Sequence, residues 1–174
     1  MALTKLNARS ATALDATILT GNLPAISGAS LTGIATGKVL QVINAVVSTE
    51  TVVSNDTFTD TGLTASITPS ATSSKILIFA CCTGLGKATN NTYGKIKLLR
   101  DSTGIVENFE ERLGNTGTTT ANKVGGVSCT YLDSPSTTSA TAYKVQIMSG
   151  NDNAYMQMGN SASKSTMTLM EIGA

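Results

Sequence analysis

The sequence predicts an all-β fold, an antiparallel β-sandwich or jelly roll, carried behind an extended and partly helical N-terminal arm. Three observations predict it. From Lys38 onward, apolar runs of six to ten residues alternate with clusters of Gly, Asn, Asp, Ser and Pro, the punctuation of strands and turns. Ser and Thr supply 46 of the 174 residues against 23 charged ones, so surface polarity rests on short hydroxyl side chains that suit strands and lose little rotamer entropy on ordering. Finally, Val127, Cys129 and Tyr131 alternate with Ser128 and Thr130, and Tyr143, Val145 and Ile147 with Lys144 and Gln146, the period of two that a half-wet strand requires.

Residues 1–37 form the arm. Leu3, Leu6, Ala13, Leu14 and Ile18 are compatible with one face of a short helix, although Thr4, Ser10, Thr12 and Thr17 lower its propensity. Gly21, Pro24, Gly28, Gly33 and Gly37 stop any helix from continuing. Leu19-Thr20-Gly21 returns twelve residues later as Leu31-Thr32-Gly33, each apolar anchor followed by a forced turn. Such a strip cannot bury Leu19, Leu23, Ile26, Leu31 and Ile34 by itself. These five are therefore the expected contacts with the virion or with neighbouring chains of a trimer.

Residues 38–174 form the β domain. Strands are expected at Val39 to Val47, Thr51 to Val53, Leu63 to Thr68, Lys75 to Thr83, Gly94 to Arg100, Ile105 to Glu110, Lys123 to Leu132, Ala142 to Met148, Ala154 to Met158 and Thr166 to Ile172. Turns are expected at Asp60-Thr61-Gly62, Asp101 to Gly104, Asn115-Thr116-Gly117, Asp133-Ser134-Pro135 and Ser149 to Asn153. Helical character is confined to Glu107 to Leu113. The run Ile76 to Cys82 shows no polar alternation, so both its faces need cover, one from the opposite sheet and one from a neighbouring subunit.

Composition narrows the function. A formal net charge of +1 and 13% charged residues leave no basic field for nucleic acid. No apolar run approaches the ~20 residues of a membrane span, and the first residues do not read as a signal peptide. Three cysteines, two of them adjacent, fit no closed disulfide framework and read as small buried hydrophobes. Histidine is absent, which removes the usual general base and the commonest metal ligand.

The remaining candidates for chemistry have simpler readings. Glu107, Glu110 and Glu111 beside Arg112 read as a solvated strand end rather than a glycan-cleaving pair. Cys81 and Cys82 have no activating group nearby in sequence. Gly84-Leu85-Gly86-Lys87 lacks the spacing of a phosphate loop and reads as an ordinary loop. Asp152 and Asp56, with their Asn neighbours, read as turn residues rather than calcium ligands. No catalytic residue, metal ligand or cofactor is assigned. Tyr93, ending the polar loop that contains Asn90 and Asn91, is the one tyrosine placed to meet a sugar ring, so Asn90, Asn91 and Tyr93 are the expected receptor contacts.

Residues 19 to 36 resemble the Gly-x-Leu-Pro-Ala-x-x-Gly-x-x-Leu-Thr-Gly strips of bacteriophage tail and head fibres. The segments Ile67 to Ile78, Tyr131 to Pro135, Tyr143 to Gln146 and Met167 to Ile172 resemble the C-terminal domains of virion fibre proteins from marine tailed phages, whose knobs are similar to trimeric jelly rolls. The resemblance implies a structural virion protein made in the bacterial cytoplasm. It would be a short fibre, fibre tip or adaptor, homotrimeric, docked on other virion proteins through its arm and able to contact a host-surface glycan. The competing expectations are a carbohydrate-binding adhesin module and a glycan depolymerase.

Overall fold

The computed structural model describes residues 38–87, 92–113, 122–150, 156–158 and 162–173. Among these the chain is all-β, with no helix. Ten strands follow in order: β1 Val39–Val47, β2 Thr51–Val53, β3 Thr59–Ile67, β4 Lys75–Lys87, β5 Gly94–Arg100, β6 Thr103–Leu113, β7 Asn122–Asp133, β8 Thr141–Ser149, β9 Met156–Met158 and β10 Ser165–Ile172. They form two antiparallel sheets. In the first, β1, β10, β4, β9 and β2 follow one another and β7 pairs with the other edge of β4. The second has the order β3-β8-β5-β6.

One core joins them. Ile76, Ile78, Ala80 and Cys82 of β4 and Met167 and Leu169 of β10 share it with Leu63, Ala65 and Ile67 of β3, Ile96 and Leu98 of β5, and Tyr143, Val145 and Ile147 of β8. Each set is spaced by two residues, so every strand commits one parity to the core and leaves the other outside. Fully burying one of these large side chains is worth about 1.5–3 kcal/mol.

One expected turn, one expected loop and the expected helical stretch are strand instead. Asp60-Thr61-Gly62 lies inside β3, where the pairing with β8 slips between Asp60↔Gln146 and Thr64↔Lys144. Gly62 takes φ +80°, a conformation open to glycine, and absorbs the extra residues as a bulge. The buried Thr61 Oγ1 then donates to Val145 O at 2.8 Å and accepts Leu63 N at 3.2 Å, replacing the ladder bonds lost at the slip. Likewise Gly84-Leu85-Gly86-Lys87 continues β4 rather than looping out. Gly84 takes φ +68°, Gly125 of β7 (φ +99°) pairs with Leu85, and the register shifts between Cys82 and Gly86. Glu107 to Leu113 belongs to β6, where Glu110 pairs with Ile96 and Leu113 with Gly94 of β5.

Other limits moved by a few residues, β3 starting at Thr59, while the expected start of β9 at Ala154 lies outside the described residues. The turn between β5 and β6 is the two residues Asp101 and Ser102, with Asp101 left-handed at φ +52°. Asp101 also ties this turn to β8: its amide donates to Ala142 O (2.7 Å) and its carboxylate accepts Ala142 N (3.0 Å).

Candidate assembly surface

The outward parity of the first sheet mixes large apolar side chains with Thr, Ser and Asn, and pairing register arranges them in rows. One row runs Val42, Met170, Leu77, Leu132 across β1, β10, β4 and β7. The next is Asn44, Thr168, Phe79, Thr130, and the third Val46, Thr166, Cys81, Ser128. Val42 is 54% exposed, Val46 55%, Leu132 48% and Phe79 42%. Ile172 and Lys75 extend the surface at the end where β1 begins, and Lys75 is its one charged side chain. The Asn44 amide donates to Thr168 Oγ1 (2.9 Å), so the polar groups of the middle row are already partly satisfied within the sheet.

The expectation for Ile76 to Cys82 is thereby refined. Burial alternates along the run: Ile76, Ile78, Ala80 and Cys82 are closed in the core, while Leu77 is half-buried and Phe79 and Cys81 are exposed. Among the described residues one face only is covered. Cys81 also departs from the reading of the cysteines as buried hydrophobes, and since Cys81 and Cys82 point to opposite faces, they are not placed to bond to each other. Burial pushes the Cys82 thiol up to about 12, assisted by the neighbouring Cys81 and Cys129, so it is held as an inert thiol.

The outer face of the second sheet has the opposite character. Lys144 Nζ meets Asp60 Oδ2 at 3.0 Å, and Gln146 Nε2 donates to Asp60 Oδ1 at 2.6 Å. Desolvation raises the Asp60 carboxyl, but these two hydrogen bonds and the lysine charge outweigh it and hold it below the ordinary range. Lys97 Nζ lies 4.2 Å from the centre of the Phe58 ring, a cation–π contact. Lys95 and Tyr93 share this parity on β5, and Tyr93 is half-buried. Its ring lies against Gly150, leaving no room for a Cβ there, and its carbonyl accepts Gly150 N at 2.7 Å. Of the three expected receptor contacts, then, Tyr93 sits at the edge of the charged face. Asn90 and Asn91 lie outside the described residues, as do the arm residues Leu19, Leu23, Ile26, Leu31 and Ile34.

The buried acids Asp133 and Glu171 are engaged in structural contacts. Asp133, at the end of β7, takes both carboxylate oxygens to Arg100 Nη1 of β5 (3.0 and 2.9 Å) and accepts Tyr143 Oη of β8 at 2.7 Å. This clamp joins the two sheets, and burial, then the hydrogen bond to Asp133, raises the Tyr143 phenol far above its ordinary value. Glu171 of β10 faces inward on the core parity. Its carboxylate accepts Ser70 N (2.7 Å), Ser70 Oγ (2.6 Å) and Gln41 Nε2 (2.6 Å), and the same Gln41 amide donates to Thr68 O at 2.7 Å. Desolvation raises this carboxyl, but the donors prevail and bring it down to about 2. The buried Ser74 Oγ lies outside hydrogen-bond geometry and adds to the effect through its dipole.

Of the acids weighed for chemistry, Glu107 is exposed on β6, with its carboxylate over Gly104, and Glu110 is half-buried. Asp56 is exposed, and the side chain of Glu111 and all of Asp152 lie outside the described residues. Among the described residues no three His, Cys, Asp or Glu side chains are grouped so as to hold a metal ion, and no helix is long and apolar enough to cross a membrane. Known protein-family models do not match the chain, and neither does any curated protein.

Proposed function

We propose that this chain is a non-enzymatic structural subunit of a tailed-phage virion, a short fibre, fibre tip or adaptor whose β domain is a homotrimeric jelly-roll knob. The observation that carries this reading is the contrast between the two outer faces. The first sheet turns the row Val42, Met170, Leu77, Leu132 outward together with Val46 and Phe79, and such a cluster of exposed apolar side chains favours an assembly surface. The charged face, with Tyr93 at its edge, is suited to remain in water and to meet a host-surface glycan.

Strand order supports the jelly roll. Setting aside the two three-residue strands, the eight long strands in chain order fall as first, eighth, third, sixth in one sheet and second, seventh, fourth, fifth in the other. Two sheets interleaved in this way, sharing one core, are what a double Greek key produces. The phage assignment rests on the Leu-Thr-Gly strip and the fibre-like segments of the sequence, which also place the virion contacts in the arm and synthesis in the bacterial cytoplasm. The non-enzymatic reading is supported by Asp133 and Glu171, acids whose oxygens are taken up by structural donors.

Sedimentation equilibrium of the whole chain at micromolar concentration tests the assembly: three times 17.8 kDa is expected, and a stable monomer overturns the reading. Antibody labelling of intact particles tests the location. Release of reducing ends from host polysaccharide by the purified chain would replace the structural reading with an enzymatic one.

A further inference from the structure

We draw no further inference here: the strongest candidate, the outer edge of β1, nine residues without charge, proline or glycine at the margin of the first sheet and unpaired among the described residues, carries nothing because nothing in the structure shows what covers it.

Discussion

Replacing Glu171 by Gln should destabilise the β domain by about 2 kcal/mol at pH 7, and the loss should vanish in acid. The ionised carboxylate gathers two donors from Ser70 and one from Gln41, and its pKa is brought from 4.5 to about 2. A shift of that size corresponds to at most about 3.4 kcal/mol of preference for the charged form. Glutamine retains an acceptor for the Ser70 donors, so about 2 kcal/mol is the share lost on substitution. Because the folded-state pKa is depressed, the stabilisation is complete above the unfolded value of 4.5 and is lost as pH falls through about 2. Glutamine keeps an acceptor for Ser70 but turns an amide toward Gln41, so it loses both the charge and one partner. Urea denaturation of wild type and Glu171→Gln at one protein concentration, from pH 7 to pH 2.5, measures this directly. The difference should narrow below pH 4.5 to under about 1 kcal/mol at the acid end. A difference that does not change with pH, or one under about 0.5 kcal/mol at pH 7, would refute the account of Glu171 as a charged latch on the 68–74 loop.

Three further outcomes are expected. Arg100→Ala should cost about 2–3 kcal/mol, less than a fully buried pair because the guanidinium is 30% exposed, and Tyr143→Phe about 1–2 kcal/mol. The double variant should cost less than the sum of the two, since both act on Asp133; strict additivity in thermal melts would show that they do not. Gly62→Ala should cost about 1–2 kcal/mol, because an L side chain is strained at φ +80° even though the nearest atom, Val47 Cγ2, stands at an ordinary 3.6 Å; no loss in urea denaturation would refute the bulge argument. Removing residues 1–37 should leave a β domain with an unchanged strand signal in circular dichroism and a cooperative melt, whereas an unfolded product would place part of the core in the arm.

Most of the fold was legible because strand signals are local. Val39–Val47, Thr51–Val53 and Gly94–Arg100 carry their own boundaries in the residues that flank them. Gly62 and Gly84 were misread for one physical reason: a glycine with positive φ serves a turn and a bulge equally well, and only the partner strand decides between them. The Asp133 clamp was illegible because Arg100 precedes it by 33 residues and Tyr143 follows by 10, so nothing in the Asp133-Ser134-Pro135 signal announces a buried ion pair. Glu171 did leave a trace. It occupies the parity of Met167 and Leu169, where an acid has to find donors. The apolar surface could be anticipated only in part, from the unbroken run of β4, since its rows draw on four strands from separate parts of the sequence.

The pairing of β1 with β10 has a mechanical consequence. Lys38 O accepts Gly173 N at 2.8 Å, so the chain enters and leaves this edge of the sheet at the same pole. Tension pulling these two points apart would peel the ladder one rung at a time, from Val39↔Ile172 toward Val47↔Ser165. Tension between Lys38 and the opposite pole acts along β1 and loads all of those rungs together in shear. A load carried from Lys38 to the opposite pole therefore meets the stronger geometry, and one that splays Lys38 from Gly173 meets the weaker.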